Sequence, residues 1–190
     1  MRLFVAVDLS DDVRATVARA ARDLADRLGS QCPAPSIRWV QPENLHLTLR
    51  FLGHVDEARA AAVSDVLARR LEVGAFQARF SAAGAFPLRG PLKVVWLAVA
   101  EGGGELVALN GEIEARLGSV GFVAEPRPYA AHLTLGRVRQ PGGGGAATRH
   151  VLAATEVTTS RWLVDHVTLY DSTLSSKGPT YHPVIRTNLT

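Results

Sequence analysis

Two histidines in this chain open the same four-residue phrase. HLTL runs from His46 to Leu49 and again from His132 to Leu135, nearly half the chain later. In each copy a threonine follows two residues after the histidine, Thr48 in the first and Thr134 in the second. On a β-strand, residues two apart share a face. Imidazole and hydroxyl therefore stand side by side, while Leu45, Leu47 and Leu49, or Leu133 and Leu135, turn to the opposite face and into a core. Two such faces brought together make a cleft that holds two histidines and two threonines. Two imidazoles suit acid–base catalysis, because the ring titrates near neutral pH and one can accept a proton while the other donates one. The hydroxyls can donate hydrogen bonds to an oxygen that gains negative charge. Together they fit the opening of a phosphodiester: one histidine activates water on one side of phosphorus and the other protonates the leaving oxygen opposite. That route calls on neither a metal nor a nucleophilic side chain.

A phosphate also asks for a cation. Arg50 has the parity of His46 and Thr48 in an uninterrupted strand. Arg137 has the wrong parity relative to His132, but Gly136 before it offers a place for a bulge or strand end that turns the guanidinium inward. The remaining histidines, His54, His150, His166 and His182, have no threonine two residues on and read as surface or packing residues. The aromatic residues available to stack on a base are Phe4, Trp39, Tyr129 and Tyr181.

The elements that must carry these residues can be read from periodicity. Residues 2–9 form a strand ending at an Ser-Asp-Asp cluster, where Ser10 or Asp11 caps a helix marked by Val13, Val17, Ala20, Leu24 and Leu28 and stopped by Gly29. After the proline-rich QCPAPS come a short strand, a turn at Pro42-Glu43-Asn44, and the first HLTL strand to about Phe51. A second helix is expected from Asp56 to about Leu71, strands over 76–83 and 93–100, and a third helix on Leu106, Leu109, Ile113 and Leu117 closed by Gly118. The second HLTL strand, a flexible Gly142 to Gly145 loop, a short helix over 148–154 and strands over 161–171 and 180–186 complete the chain. Helices mixed with hairpin-like strand pairs argue for α+β with antiparallel sheets over a doubly wound parallel sheet.

The 190 residues are 47% apolar and 21% charged, an ordinary globular composition for one domain. The net charge is +3, and apart from Lys93 and Lys177 the basic residues are arginines. An anionic ligand is tolerated rather than demanded. Cys32 stands alone, which excludes an internal disulfide and a cysteine-based zinc cluster. No stretch approaches the roughly 20 apolar residues of a membrane span, and a cytoplasmic protein is expected.

The segments RLFVAVDL, WVQPENLHLTLRFLG, GAFP (Gly84 to Pro87), HLTLGR and LYDSTLSSKGPTY together resemble the RNA 2′,3′-cyclic phosphodiesterases of the 2H phosphoesterase superfamily, the 2′-5′ RNA ligase-like proteins, from Arg2 to Tyr181. The resemblance implies a bilobal α+β fold with a pseudo-twofold axis. In it, two antiparallel sheets line a central groove with helices packed outside, and one domain over 1–190 contains two similar lobes, each giving one HxTx strand. It implies hydrolysis of a 2′,3′-cyclic phosphate on RNA 3′ ends or nucleotides to a 2′-phosphomonoester, with reversible 2′-5′ ligation as a companion reaction, by a monomer with no metal or cofactor. By the family pattern His46 is the proton donor and His132 the proton acceptor, while Thr48, Thr134 and Arg137 hold the phosphate. One departure is Ala131, where the family commonly has proline before the second histidine.

Two other readings stay open on sequence alone. His46 and His132 could ligate a catalytic zinc, although no third ligand stands at a telling spacing. Alternatively, the chain could be a noncatalytic RNA-end or nucleotide-binding module.

Overall fold

The computed structural model describes residues 1–31, 36–140, 144–176 and 178–190. Cys32 with the prolines beside it, and Gly142 and Gly143 of the glycine loop, lie outside the described residues. In chain order the elements are β1 (Arg2–Asp8), α1 (Asp11–Gln31), β2 (Ser36–Trp39), a 3₁₀ turn (Pro42–Asn44), β3 (His46–His54), α2 (Glu57–Leu67), β4 (Phe76–Phe86) and β5 (Val94–Glu101). They continue with α3 (Gly103–Gly118), β6 (His132–Gln140), α4 (Gly145–Ala153), β7 (Trp162–Val164), β8 (His166–Ser175) and β9 (Gly178–Asn188). The strands pair antiparallel into a four-stranded sheet, β3-β1-β8-β9, and a five-stranded sheet, β2-β6-β5-β4-β7. The expected α+β architecture with two antiparallel sheets is present. Each sheet carries one HLTL strand.

Apolar side chains of both sheets and of helices α1 to α4 join one continuous core. Leu45, Leu47, Leu49, Leu133 and Leu135 are all buried within it. Each buried leucine contributes about 2 kcal/mol, and a one-residue slip of either strand would exchange leucines for histidine and threonine. Register is therefore set by the leucine face, and the polar face follows from it. Among the described residues no helix is long and apolar enough to cross a membrane.

Several expectations are corrected. The strands around Pro42–Asn44 are not a hairpin: β2 pairs with β6 and β3 with β1, and the 3₁₀ turn carries the chain from one sheet to the other. Helix α1 runs through Gly29 to Gln31, because Gly29 lacks the positive φ of a left-handed stop. It buries Ala21 fully, and the expected Ala20 packs partly buried against the core. Helix α2, capped by the Asp56 carboxylate on the Arg59 amide, ends at Leu67, yet Leu71 beyond it is still buried. The expected strand over 161–171 is interrupted at Asp165.

The correction that matters most concerns parity. In β3, Thr48 pairs with Ala6 but Arg50 pairs with Val5, so Leu49 is an extra residue. In β6, Thr134 pairs with Trp96 but Gly136 pairs with Val95, so Leu135 is extra in the same place. Each is a β-bulge, with two consecutive residues on the buried side. Beyond it the alternation restarts out of phase. Arg50, expected on the polar face, instead points into the core side and is 7% exposed. There its Nε lies 2.9 Å from Glu114, and its terminal nitrogens reach Glu125 and the Val123 carbonyl. Arg137 moves the other way, onto the face of His132 and Thr134, as the bulge expected near Gly136 requires.

Arg50 thus belongs to the scaffold. Replacing it with methionine strands Glu114 without its cation and costs about 3 kcal/mol of stability. This is measured as a lower denaturation midpoint, with activity per folded molecule unchanged. A folded Arg50→Met protein of wild-type stability would contradict the assignment.

Candidate active site

The 3₁₀ turn and the loop before β6 each lead directly into a histidine, and both orient the ring in the same way. His46 donates from Nδ1 to the Asn44 carbonyl at 2.7 Å, and His132 donates from Nδ1 to the Ala130 carbonyl at 2.7 Å. A carbonyl only accepts, so Nδ1 carries the proton in both neutral rings and Nε2 is left as the acceptor. The Thr48 hydroxyl lies 3.0 Å from His46 Nε2. Each ring also meets one aromatic neighbour edge-on with centroids 5.3 Å apart, Tyr181 for His46 and Phe86 for His132. The two motifs thus match beyond their four letters, in tautomer and in packing.

The turn that aims His46 is held by Arg14. Its guanidinium donates to the carbonyls of Pro42 at 3.1 Å, Leu45 at 2.9 Å and Leu9 at 3.3 Å. Asn44 adds a bond from its amide to the Pro179 carbonyl at 2.9 Å. On the other side, the Tyr129 hydroxyl donates to the Thr48 carbonyl at 3.1 Å, tying the approach to His132 onto β3 of the opposite sheet. Asn110 of α3 donates to the Leu49 carbonyl at 3.0 Å, so acceptors at the β3 bulge are satisfied from the other half of the chain.

Asp8 ends β1 directly opposite His46 in the strand register. Burial alone would raise this carboxyl. Hydrogen bonds from His166, the Tyr170 hydroxyl at 2.6 Å and the Thr168 hydroxyl at 2.7 Å overcome that and hold its pKa down at about 2. His166 lies between Asp8 and Asp165 and is pushed up in turn by its bond to Asp8. His46 itself is pushed down, chiefly by burial and further by the charges of Arg14 and Arg137, against the Asn44 bond and the Asp8 charge. Arg137, from the five-stranded sheet, therefore acts on a histidine of the four-stranded one. It lines a groove of about 310 Å³ together with Tyr181 of β9.

The structure brings His46 with Thr48, and His132 with Thr134 and Arg137, onto the polar faces of their strands, and removes Arg50. Of the aromatic candidates, Phe4 is buried beneath His46 at 4.9 Å, Tyr181 packs against His46, and Tyr129 is a structural tie. Trp39 lines the groove. Sequence reasoning missed Asp8, Arg14 and Phe86, and also Phe51, which the β3 bulge leaves half-exposed at the position corresponding to Arg137. The charged Asp8 directly after the apolar run Leu3 to Val7 was the one available signal. His54, His150 and His182 are exposed, as expected. Among the described residues no group of three or more His, Cys, Asp or Glu side chains could hold a metal ion.

The model of the LigT-like phosphoesterase family matches this chain twice, over residues 12–96 and 97–181, with one HxT motif in each match. The chain belongs to the LigT-like phosphoesterase family. Proteins named RNA 2′,3′-cyclic phosphodiesterase from Archaeoglobus fulgidus and Methanocaldococcus jannaschii are similar to it. The first is 35% identical over 95% of this chain and 96% of its own, and the second 29% identical over 97% and 98%. Among solved structures, the Thermus thermophilus protein TT0787 superposes with a TM-score of 0.79 at 28% identity, covering 99% of this chain and 97% of its own. Escherichia coli LigT complexed with 3′-AMP follows at 0.72 and 26%, covering 100% and 98%. This phosphoesterase therefore shares its fold along its whole length with those relatives.

The histidine geometry can be tested by long-range ¹H–¹⁵N spectroscopy. Above its titration, each ring should show the Nδ1–H tautomer, and Arg14→Met should mix the tautomers at His46 while sparing His132. Because the folded pKa of His46 lies below its unfolded value of about 6.5, the unfolded chain takes up that proton first as pH falls. Stability is then lost from about pH 6.5 down through the folded pKa. A His46→Gln variant should lack that part of the slope in denaturation measured against pH, and an unchanged slope would contradict the shift.

Proposed function

We propose that this phosphoesterase hydrolyses the 2′,3′-cyclic phosphate at RNA 3′ ends to a 2′-phosphomonoester, without a metal, by two-histidine acid–base catalysis. The carrying observation is the matched pair of Nδ1-anchored histidines with Arg137 turned onto the face of His132. The names of the relatives supply the substrate class. In this reading the chain is a single domain over 1–190 with two similar lobes, each contributing one HxTx strand. Because the site is built from one chain, we read it as a monomer, acting in the cytoplasm.

Water attacks phosphorus and gives its proton to Nε2 of His132. The bond from phosphorus to the 3′-oxygen breaks, and that oxygen takes a proton from Nε2 of His46. Thr48 and Thr134 donate hydroxyl hydrogen bonds, and Arg137 a charge-assisted pair, to the phosphate oxygens as negative charge gathers on them. With the 5′-hydroxyl of a second RNA in place of water, the same transfers make a 2′-5′ linkage.

The depressed pKa of ligand-free His46 is consistent with a donor that is loaded on binding. An entering phosphate offsets the charge of Arg137, one of the causes of the depression, and adds a negative neighbour that favours the imidazolium. Titration by NMR should therefore find His46 below the ordinary imidazole value in the free protein and raised when a nucleoside 2′-phosphate is bound.

Incubation with a nucleoside 2′,3′-cyclic phosphate should yield the 2′-phosphate and not the 3′-isomer, with activity surviving excess EDTA. His46→Ala and His132→Ala should each lower turnover by about 10²- to 10⁴-fold with the fold retained. Wild-type turnover in both variants would overturn the mechanism, and loss of activity with chelator, restored by a metal, would overturn the metal-free reading.

A further inference from the structure

The groove does not end at Arg137. Residue Arg38 of β2 pairs directly with Arg137 of β6, so the two guanidinium groups rise from adjacent strands on the same face. Like charges directly opposite each other on paired strands destabilise a sheet. Yet both are exposed, and among the described residues neither makes an ion pair with a carboxylate, whereas Arg50, Arg116 and Arg161 each do.

Two glycines keep this arrangement in place. A Cβ on Gly136 would lie 2.6 Å from Ile37 and 3.3 Å from the Arg38 carbonyl, so glycine is what lets β2 close onto β6. A Cβ on Gly178, at the start of β9, would lie 2.9 Å from a terminal nitrogen of Arg38, so that guanidinium rests against bare backbone. Arg38, Trp39 and Arg137 line one groove of about 310 Å³ with Tyr181, and Glu43 is on its wall. That volume is at the small end of ligand pockets, enough for one nucleoside. Trp39 supplies an aromatic ring of the kind on which bases stack.

We infer that Arg38 forms a second anion subsite, which takes the phosphodiester on the 5′ side of the terminal nucleotide while Arg137 faces the cyclic phosphate. The subsite rests on the cyclic phosphodiesterase reading and adds to it a preference for a polynucleotide end over a free nucleotide. A paired arginine couple with no carboxylate partner is stabilised when anions occupy it. Two anions one nucleotide apart are what a single-stranded RNA end presents.

Three substrates separate the possibilities: a nucleoside 2′,3′-cyclic phosphate, the same nucleotide with a 5′-phosphate, and a tetranucleotide with a cyclic end. The wild type should favour the tetranucleotide by about tenfold in kcat/KM, the gain of one charge-assisted contact, and the 5′-phosphate alone should recover part of it. Arg38→Ala should abolish the preference and leave the plain cyclic nucleotide within about twofold of wild type, and Arg38→Lys should keep part of it. For binding, a fluorescent tetranucleotide ending in a 2′-phosphate should show a logarithmic salt slope shallower by about 0.7 in Arg38→Ala. Equal effects of Arg38→Ala on all three substrates, or none, would overturn the subsite. If the wild type hydrolyses none of them, the function reading fails instead, and the salt slope still decides for or against Arg38.

Discussion

One extra residue in each of two strands decides what this groove can do. In an uninterrupted strand the side chain four residues beyond His46 shares its face and the one five beyond it does not. The bulges at Leu49 and Leu135 reverse that rule. They place Arg50 with the core, where Glu114 and Glu125 neutralise it, and Arg137 in the groove, where among the described residues no carboxylate pairs with it. The same backbone irregularity therefore builds a structural ion pair in one half and an exposed arginine in the other. Phe51, the counterpart of Arg137, makes the two halves chemically unequal while their backbones stay alike.

The rest of the scaffold holds two imidazoles by Nδ1. Backbone carbonyls two residues upstream fix both tautomers, and those carbonyls sit in segments pinned from elsewhere, by Arg14 on one side and by the Tyr129 bond to the opposite sheet on the other. Around His46 the charges are balanced: Asp8 favours the imidazolium, while Arg14 and Arg137 oppose it along with burial. Burial is the largest influence on the ring and Arg137 the smallest of those acting on it.

The sequence revealed the two histidine and threonine faces because a period of two needs only local backbone regularity and leucines that demand burial. The α+β class followed from the mixture of helical and strand periods. What could not be read was whatever depended on partners distant in the chain. Arg50 was assigned by parity, and its true environment is set by Glu114 on α3 and Glu125 after it. Strands β2 and β3 looked like a hairpin because a turn separates them, but β2 is captured by β6, far along the chain, at a glycine that admits its close approach. Asp8 became part of the site only through its cross-strand register with His46. Gly29 read as a helix stop because glycine commonly is one, although nothing in its surroundings requires the left-handed backbone.

The central claim is that the two histidines act on opposite sides of one phosphorus atom. A crystal structure with a nucleoside–vanadate complex, which mimics the five-coordinate transition state, tests it directly. The account requires Nε2 of His46 and Nε2 of His132 each within hydrogen-bonding distance, about 3 Å, of opposite apical oxygens, with Thr48, Thr134 and Arg137 on the equatorial ones. Vanadate held by only one histidine, or by neither, would contradict it.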